Sequence, residues 1–70
     1  MQHEPIDVLI VEDEETLAQL NAELVSKHPR LRLVGMASSL AEAKTLLSQR
    51  QPQLILLDNY LPDGKGITLI

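Results

Sequence analysis

Cysteine, phenylalanine and tryptophan are absent from this 70-residue chain, and Tyr60 is its single aromatic residue. The lack of cysteine excludes a disulfide framework and a thiolate metal site. Because aromatic surface is so scarce, any hydrophobic core must be built from leucine, isoleucine, valine and alanine. A chain this short forms at most one small domain and buries only about 60% of its unfolded surface.

Basic residues are also scarce. The chain has 6 Lys and Arg against 10 Asp and Glu, which gives a formal net charge of -4 at pH 7. Without a basic stripe, a nucleic-acid-binding surface is not expected. Residues 1–5 show neither the cationic nor the apolar segment of a signal peptide, and no apolar run reaches the ~20 residues that a transmembrane helix needs. We therefore predict a soluble cytoplasmic protein with no membrane partner.

Aliphatic runs predict the strands. The runs at 6–11 and 54–57 are bounded by turn signals, which is typical of strands buried on both faces, as in a parallel sheet. A weaker alternation at 31–36 predicts a short edge strand, from which Arg32 would point outward. Pro62, Gly64 and Gly66 predict a loop, and residues 67–70 look like the opening of a further element.

Helical periodicity lies between these runs. One helix is predicted to follow the acidic turn at 12–15 and to end at His28-Pro29, because the residue before proline avoids the helical region. A second is predicted at about 40–49, capped by Ser38 or Ser39. Both apolar stripes are predicted to be core: Leu17, Leu20 and Leu24 with Ala18, Ala22 and Val25 in the first helix, and Leu40, Ala43, Leu46 and Leu47 in the second.

The resulting order is β-α-β-α-β. Two crossovers of helical length imply parallel strands, and we predict the spatial order 2-1-3. The aliphatic third strand needs a neighbour on each side, because an open edge is a pairing template for other chains. We therefore interpret residues 1–70 as the N-terminal part of a larger domain.

Both aliphatic runs end on acidic residues. Glu12 and Asp13 follow the first run, and Asp58 follows the last. Chemistry in open α/β sheets lies outside the carboxyl ends of the strands, so these three side chains are expected to lie together. Three close carboxylates repel one another unless a cation lies among them. The pattern predicts a hard divalent metal and one special aspartate.

These residues carry a resemblance. Val8-Leu9-Ile10-Val11-Glu12-Asp13-Glu14, Leu54-Ile55-Leu56-Leu57-Asp58, Leu61-Pro62 and Gly66 together resemble the receiver domain of bacterial two-component response regulators. The sequence of residues 56–67 is most similar to the regulators of citrate and C4-dicarboxylate sensing systems. The resemblance implies a flavodoxin-like (CheY-like) doubly wound parallel sheet, truncated here after the third strand. It also implies a DNA-binding output domain, which this chain does not contain.

The resemblance further implies a role for each site residue. Asp58 would be the phosphoacceptor, taking a phosphoryl group from a sensor histidine kinase to regulate transcription. Asp13 would bind Mg²⁺ directly, Glu12 would bind it through water, and the backbone carbonyl of Tyr60 would add an oxygen. Such a domain is regulatory rather than an enzyme. The family's later Ser/Thr and Lys are absent, and Lys65 lies too early in the chain to replace that Lys.

Other interpretations stay open beside this one. The acids at 12–15 are also typical of a helix N-terminus, and Asp58 is also typical of a turn. The chain could instead be a truncated interaction module without phosphotransfer, pairing through its third strand, with a homodimer as one outcome. A phosphatase is disfavoured because a second acid is expected where Tyr60 stands. Nucleotide binding is disfavoured because no Gly-rich turn follows the first strand.

Overall fold

A computed structural model gives the fold and describes residues 4–58 and 60–65. All five predicted strands and helices are present. The elements in chain order are β1 (Ile6–Val11), α1 (Glu15–Lys27), β2 (Leu31–Ala37), α2 (Leu40–Gln49), β3 (Leu54–Leu57), β4 (Tyr60–Leu61) and β5 (Gly64–Lys65). The predictions for Gly66 and for residues 67–70 lie outside the described residues.

The main sheet has three parallel strands in the order β2-β1-β3, as predicted. The central strand β1 contributes the largest fully buried side chains, Val8, Leu9, Ile10 and Val11. Arg32 points outward from β2, also as predicted, and pairs with Asp7 of β1 at a distance of 2.7 Å from its terminal nitrogen to Oδ1. Within the described part of the chain, no helix is long and apolar enough to cross a membrane.

The helices cover opposite faces of the sheet. Successive side chains of a strand point to opposite faces. Accordingly, Leu9 and Val11 pack in a cluster with Leu40 and Ala43 of α2. Val8 and Ile10 pack in another cluster with Val25 of α1. The core therefore has two layers separated by β1.

The predicted apolar face of α1 is partly wrong. Leu17, Leu20 and Leu24 are exposed by 48%, 50% and 66%, whereas Ala18 and Val25 are buried. Ala22 of α1 is partly buried against the cluster that contains Val25. In α2 the whole predicted apolar face packs in the core: Leu40, Ala43, Leu46 and Leu47. Two adjacent stripes of α1 share the helical period, so periodicity alone could not decide between them. The small Ala18 and Ala22 lie on the buried side of α1.

Local side chains define the ends of both helices. Glu14 caps α1, since its carboxylate accepts hydrogen bonds from the backbone N–H groups of Thr16 and Leu17. Of the two predicted caps of α2, Ser39 is the one observed, and its Oγ accepts from Glu42 N–H at 3.1 Å. Ser38 instead donates from its backbone N–H and its hydroxyl to the Glu42 carboxylate.

The predicted loop after β3 contains a small hairpin. Strands β4 and β5 pair antiparallel, with Tyr60 opposite Lys65 and Leu61 opposite Gly64. Pro62 and Asp63 form the turn between them. Strands of two residues are too short to show a periodicity, which is why the sequence indicated only a loop.

Candidate metal centre

Two neighbouring strand ends build the site. Glu12 directly follows β1, and its backbone N–H donates to the carbonyl oxygen of Ala37 in β2 at 2.9 Å. Asp58 directly follows β3, and its backbone N–H donates to the carbonyl oxygen of Val11 at 2.9 Å. Because β1 and β3 are parallel neighbours, their carboxyl ends lie at the same edge of the sheet.

The three predicted carboxylates come together at this edge. One oxygen from each of Glu12, Asp13 and Asp58 lies within 4.8 Å of the others. Glu12 and Asp58 are half-buried, while Asp13 is exposed. The fourth predicted ligand, the backbone carbonyl of Tyr60, belongs to the first residue of β4, two positions after Asp58.

The electrostatics of the cluster favour a cation. Burial raises the pKa of the Glu12 carboxyl, and the negative charge of Asp58 adds to that increase. A hydrogen bond from the Glu14 backbone N–H to Glu12 Oε2, 3.1 Å long, opposes it. A divalent cation among the three groups would relieve their repulsion and favour the ionised form of Glu12.

Open clefts give the cluster access to solvent. A cleft of about 310 Å³ between α1 and β2 is lined by Glu12, Asp13 and Met36, among others. A second, of about 390 Å³, lies on the β3 side and is lined by Glu12 and Asp58, among others. Mg²⁺ takes hard oxygen ligands, keeps several waters and often completes its octahedron with phosphate oxygens. Half-exposed carboxylates beside such space fit that chemistry.

Asp63 is a residue that sequence reasoning did not single out. Its Oδ1 accepts from Leu40 N–H at 2.7 Å and its Oδ2 from Ala41 N–H at 3.0 Å. It therefore joins the hairpin after Asp58 to the N-terminus of α2. In the sequence, Pro62-Asp63-Gly64 indicates only a turn, because the partners lie more than twenty residues away.

Comparison with known proteins tests the resemblance. The sequence profile of the response regulator receiver domain matches residues 8–70. The chain belongs to the response regulator receiver domain family. This receiver chain is 51% identical over 65 residues to the transcriptional regulatory protein CitB of Klebsiella pneumoniae, covering 93% of this chain and 28% of CitB. It is 47% identical over 66 residues to the transcriptional regulatory protein DpiA of Escherichia coli K12, covering 94% of this chain and 29% of DpiA.

A solved structure agrees with the fold of the receiver chain. A mutant of the response regulator MaeR, bound to sulfate, matches with a TM-score of 0.84 and 33% sequence identity. The match covers 91% of this chain and 52% of the MaeR chain. The predicted family and doubly wound α/β class are thereby confirmed. The receiver chain spans less than a third of the length of CitB and DpiA.

Proposed function

We propose that this chain is the phosphoaccepting part of a receiver domain, with Asp58 as the phosphoacceptor and Mg²⁺ as the cofactor. The observation that carries the proposal is the convergence of Glu12, Asp13 and Asp58 to within 4.8 Å at the carboxyl edge of a receiver-family sheet. The partner would be a sensor histidine kinase, and the chain itself would act in the cytoplasm. On this proposal the chain regulates by being modified, and it does not turn over a metabolite.

The chemistry follows from the nature of the acceptor. A carboxylate oxygen of Asp58 attacks the phosphorus of a phosphohistidine, forming a P–O bond while the P–N bond breaks. The electron pair of that bond stays on the imidazole, and the product is an aspartyl phosphate. When bound, Mg²⁺ would offset negative charge on the phosphoryl oxygens. Asp13 would hold it directly, Glu12 through water, and Tyr60 by its backbone carbonyl.

The relatives support the wider role. MaeR is a response regulator, and the MaeR mutant binds sulfate, a tetrahedral oxyanion with the shape of a phosphoryl group. CitB and DpiA are transcriptional regulatory proteins. We therefore propose that residues 1–70 act within a longer regulator, as the first portion of one receiver domain. DNA binding would belong to an output domain of that regulator.

The direct test is phosphorylation at Asp58. The 70-residue chain is incubated with Mg²⁺ and a phosphorylated sensor kinase or acetyl phosphate, and the added mass is located by peptide mass spectrometry after borohydride trapping. Modification should appear at Asp58 and vanish in Asp58→Asn. Asp7→Asn is the matched control, because Asp7 lies at the opposite end of β1 in an ion pair with Arg32. Modification that persists in Asp58→Asn would overturn the assignment.

A second candidate function is an interaction module. Leu17, Leu20 and Leu24 are exposed on α1, and Leu54 of β3 is 38% exposed. Within the described residues, β3 pairs with β1 alone, and an unpaired edge can template pairing with another chain. This function predicts association that increases with concentration and ignores Mg²⁺. Sedimentation that shows only monomer from dilute to concentrated samples would exclude it.

A further inference from the structure

Three residues place the hairpin β4–β5 beside the first residues of α2. The hairpin begins at Tyr60, two residues after Asp58 of the carboxylate cluster. Leu61 is 8% exposed and lies in the same core cluster as Leu40. The other two residues are Asp63, in the turn, and Gly64, directly after it.

Asp63 contributes a long-range cap to α2. The first turn of a helix has backbone N–H groups without partners inside the helix. Asp63 accepts from the first two of these, Leu40 N–H at 2.7 Å and Ala41 N–H at 3.0 Å. The hydroxyl of Ser39, the local cap, accepts from Glu42 N–H, the third N–H of the helix. The Asp63 carboxylate thus accepts from the N–H groups of Leu40 and Ala41, which the Ser39 hydroxyl does not cap.

Gly64 lets the hairpin sit directly against the helix. Its φ is +146°, in the region that favours glycine. A Cβ built there would lie 2.7 Å from Cδ1 of Leu40, closer than carbon atoms normally approach. The glycine therefore brings the backbone after Asp63 into contact with the first residue of α2, beside the two hydrogen bonds.

We propose that Asp63 is a positioning residue for the metal centre. By fastening the hairpin to the N-terminus of α2, Asp63 holds the backbone of Tyr60 where its carbonyl can reach a cation shared with Asp13 and Asp58. The inference rests on the proposed Mg²⁺ site and adds a residue that contacts neither the metal nor the phosphoryl group. Supporting groups of this kind typically change metal affinity by 10–100-fold when they are removed.

The coupling between Mg²⁺ binding and the Asp63 contact with α2 must act in both directions. If Asp63 strengthens Mg²⁺ binding by holding the hairpin, then bound Mg²⁺ must strengthen the contact between Asp63 and α2 by the same factor. The amide groups of Leu40 and Ala41 report that contact, because they donate to Asp63. Their hydrogen exchange should therefore slow when Mg²⁺ is added, although they belong to α2 and not to the metal centre.

The experiment compares three variants in the 70-residue chain. Mg²⁺ alone is titrated into ¹⁵N-labelled samples, and the dissociation constant is obtained from the amide shifts of Glu12 and Asp13. Asp63→Ala should weaken Mg²⁺ binding about tenfold or more and should abolish the Mg²⁺-dependent protection of Leu40 and Ala41. Asp63→Asn, which keeps one acceptor oxygen, should weaken it by a smaller factor. Ser39→Ala removes a cap of the same helix but leaves the donors and acceptors of both Asp63 hydrogen bonds in place, so the dissociation constant of that variant for Mg²⁺ should stay within about twofold.

Each outcome has one meaning. Equal losses in Asp63→Ala and Ser39→Ala would overturn the proposal, because the effect would then come from the stability of α2. An unchanged dissociation constant in Asp63→Ala would also overturn it, and Asp63→Asn supplies the same test if the alanine variant does not fold. An unmodified chain whose Glu12 and Asp13 amides ignore Mg²⁺ would instead refute the metal centre itself, and with it the role of Asp63.

Discussion

The backbone N–H of Asp58 donates a 2.9 Å hydrogen bond to the carbonyl oxygen of Val11. This bond continues the pairing of β1 with β3 one residue past the partners Val11 and Leu57. The bond ties Asp58 to Val11, the last residue of β1, which Glu12 directly follows. The spacing of the carboxylates therefore depends on the pairing of two strands, and not only on flexible side chains.

Removing the carboxylates should remove the response to Mg²⁺. In the double variant Asp13→Asn plus Asp58→Asn, two of the three clustered carboxylates lose their charge. Mg²⁺ with beryllofluoride, a phosphoryl mimic, should then leave the ¹⁵N–¹H spectrum unchanged, whereas in the unmodified chain the shifts should centre on residues 12, 13, 58 and 60. Asp7→Asn should behave like the unmodified chain. A double variant that still responds would contradict the proposed site.

Two leucines should respond very differently to the same truncation. Leu9 is 1% exposed in the core, whereas Leu24 is 66% exposed on α1. Leu9→Ala should lower the free energy of unfolding by about 2–5 kcal/mol, because it removes buried contacts and leaves a cavity. Leu24→Ala should change it by no more than about 0.5 kcal/mol. Urea unfolding followed by circular dichroism measures both, and similar losses would show that the exposed face of α1 is covered in solution.

The stability that Ser39 contributes as the local cap of α2 can be measured by using Ser48 of the same helix as a control. Ser39→Ala leaves Glu42 N–H without its acceptor and should cost about 1 kcal/mol of stability. Ser48 lies in the last turn, where its hydroxyl donates to the carbonyl of Thr45. Ser48→Ala removes no cap and adds a better helix former, so it should be nearly neutral. Equal urea midpoints for the two variants would argue against Ser39 as the cap.

Asp63 should contribute to the acid sensitivity of the chain. The hydrogen bond from the backbone N–H of Leu40 lowers the pKa of Asp63, and the hydrogen bond from Ala41 N–H lowers it further. A group with a lowered folded-state pKa contributes stability above its unfolded pKa and loses it as the pH falls through the folded value. The loss should begin near the ordinary pKa of 3.8 and continue below it. The urea midpoint of Asp63→Asn should therefore depend less on pH in that range. Parallel pH profiles for the variant and the unmodified chain would contradict the cap.

The ionised carboxylate of Glu12 should lower the stability of the metal-free chain, whereas that of Asp63 raises it. Burial raises the pKa of Glu12, with a further increase from Asp58. A group with a raised folded-state pKa lowers stability once the pH exceeds its unfolded-state pKa. The reason is that the folded chain then holds the ionised carboxylate partly buried and close to another negative charge. Glu12→Gln should therefore raise the urea midpoint of the metal-free chain at pH 7 and leave it unchanged at pH 3. If the variant is less stable at pH 7, interactions of the ionised Glu12 outweigh its burial and repulsion.

Much of this protein follows from local sequence patterns. The aliphatic runs at 6–11 and 54–57 predicted strands, and the crossovers predicted the order 2-1-3 that the sheet has. The acids after those runs were predicted to converge because parallel strands end at one edge. These features repeat along a short window of chain or follow from connectivity, so they can be deduced without coordinates.

The tertiary structure decided what depends on partners distant in sequence. Helical spacing grouped Leu20 with Ala18 and Val25 in one apolar face of α1, and only packing on the sheet placed Ala18 and Val25 inside while leaving Leu20 exposed. Likewise, the sequence around Asp63 indicates only a turn, and its hydrogen bond with Leu40 of α2 is visible only in the tertiary structure. A local pattern records which conformations a segment favours. Which face is buried and which donor meets which acceptor depend on the complementary shape and unsatisfied groups of another element.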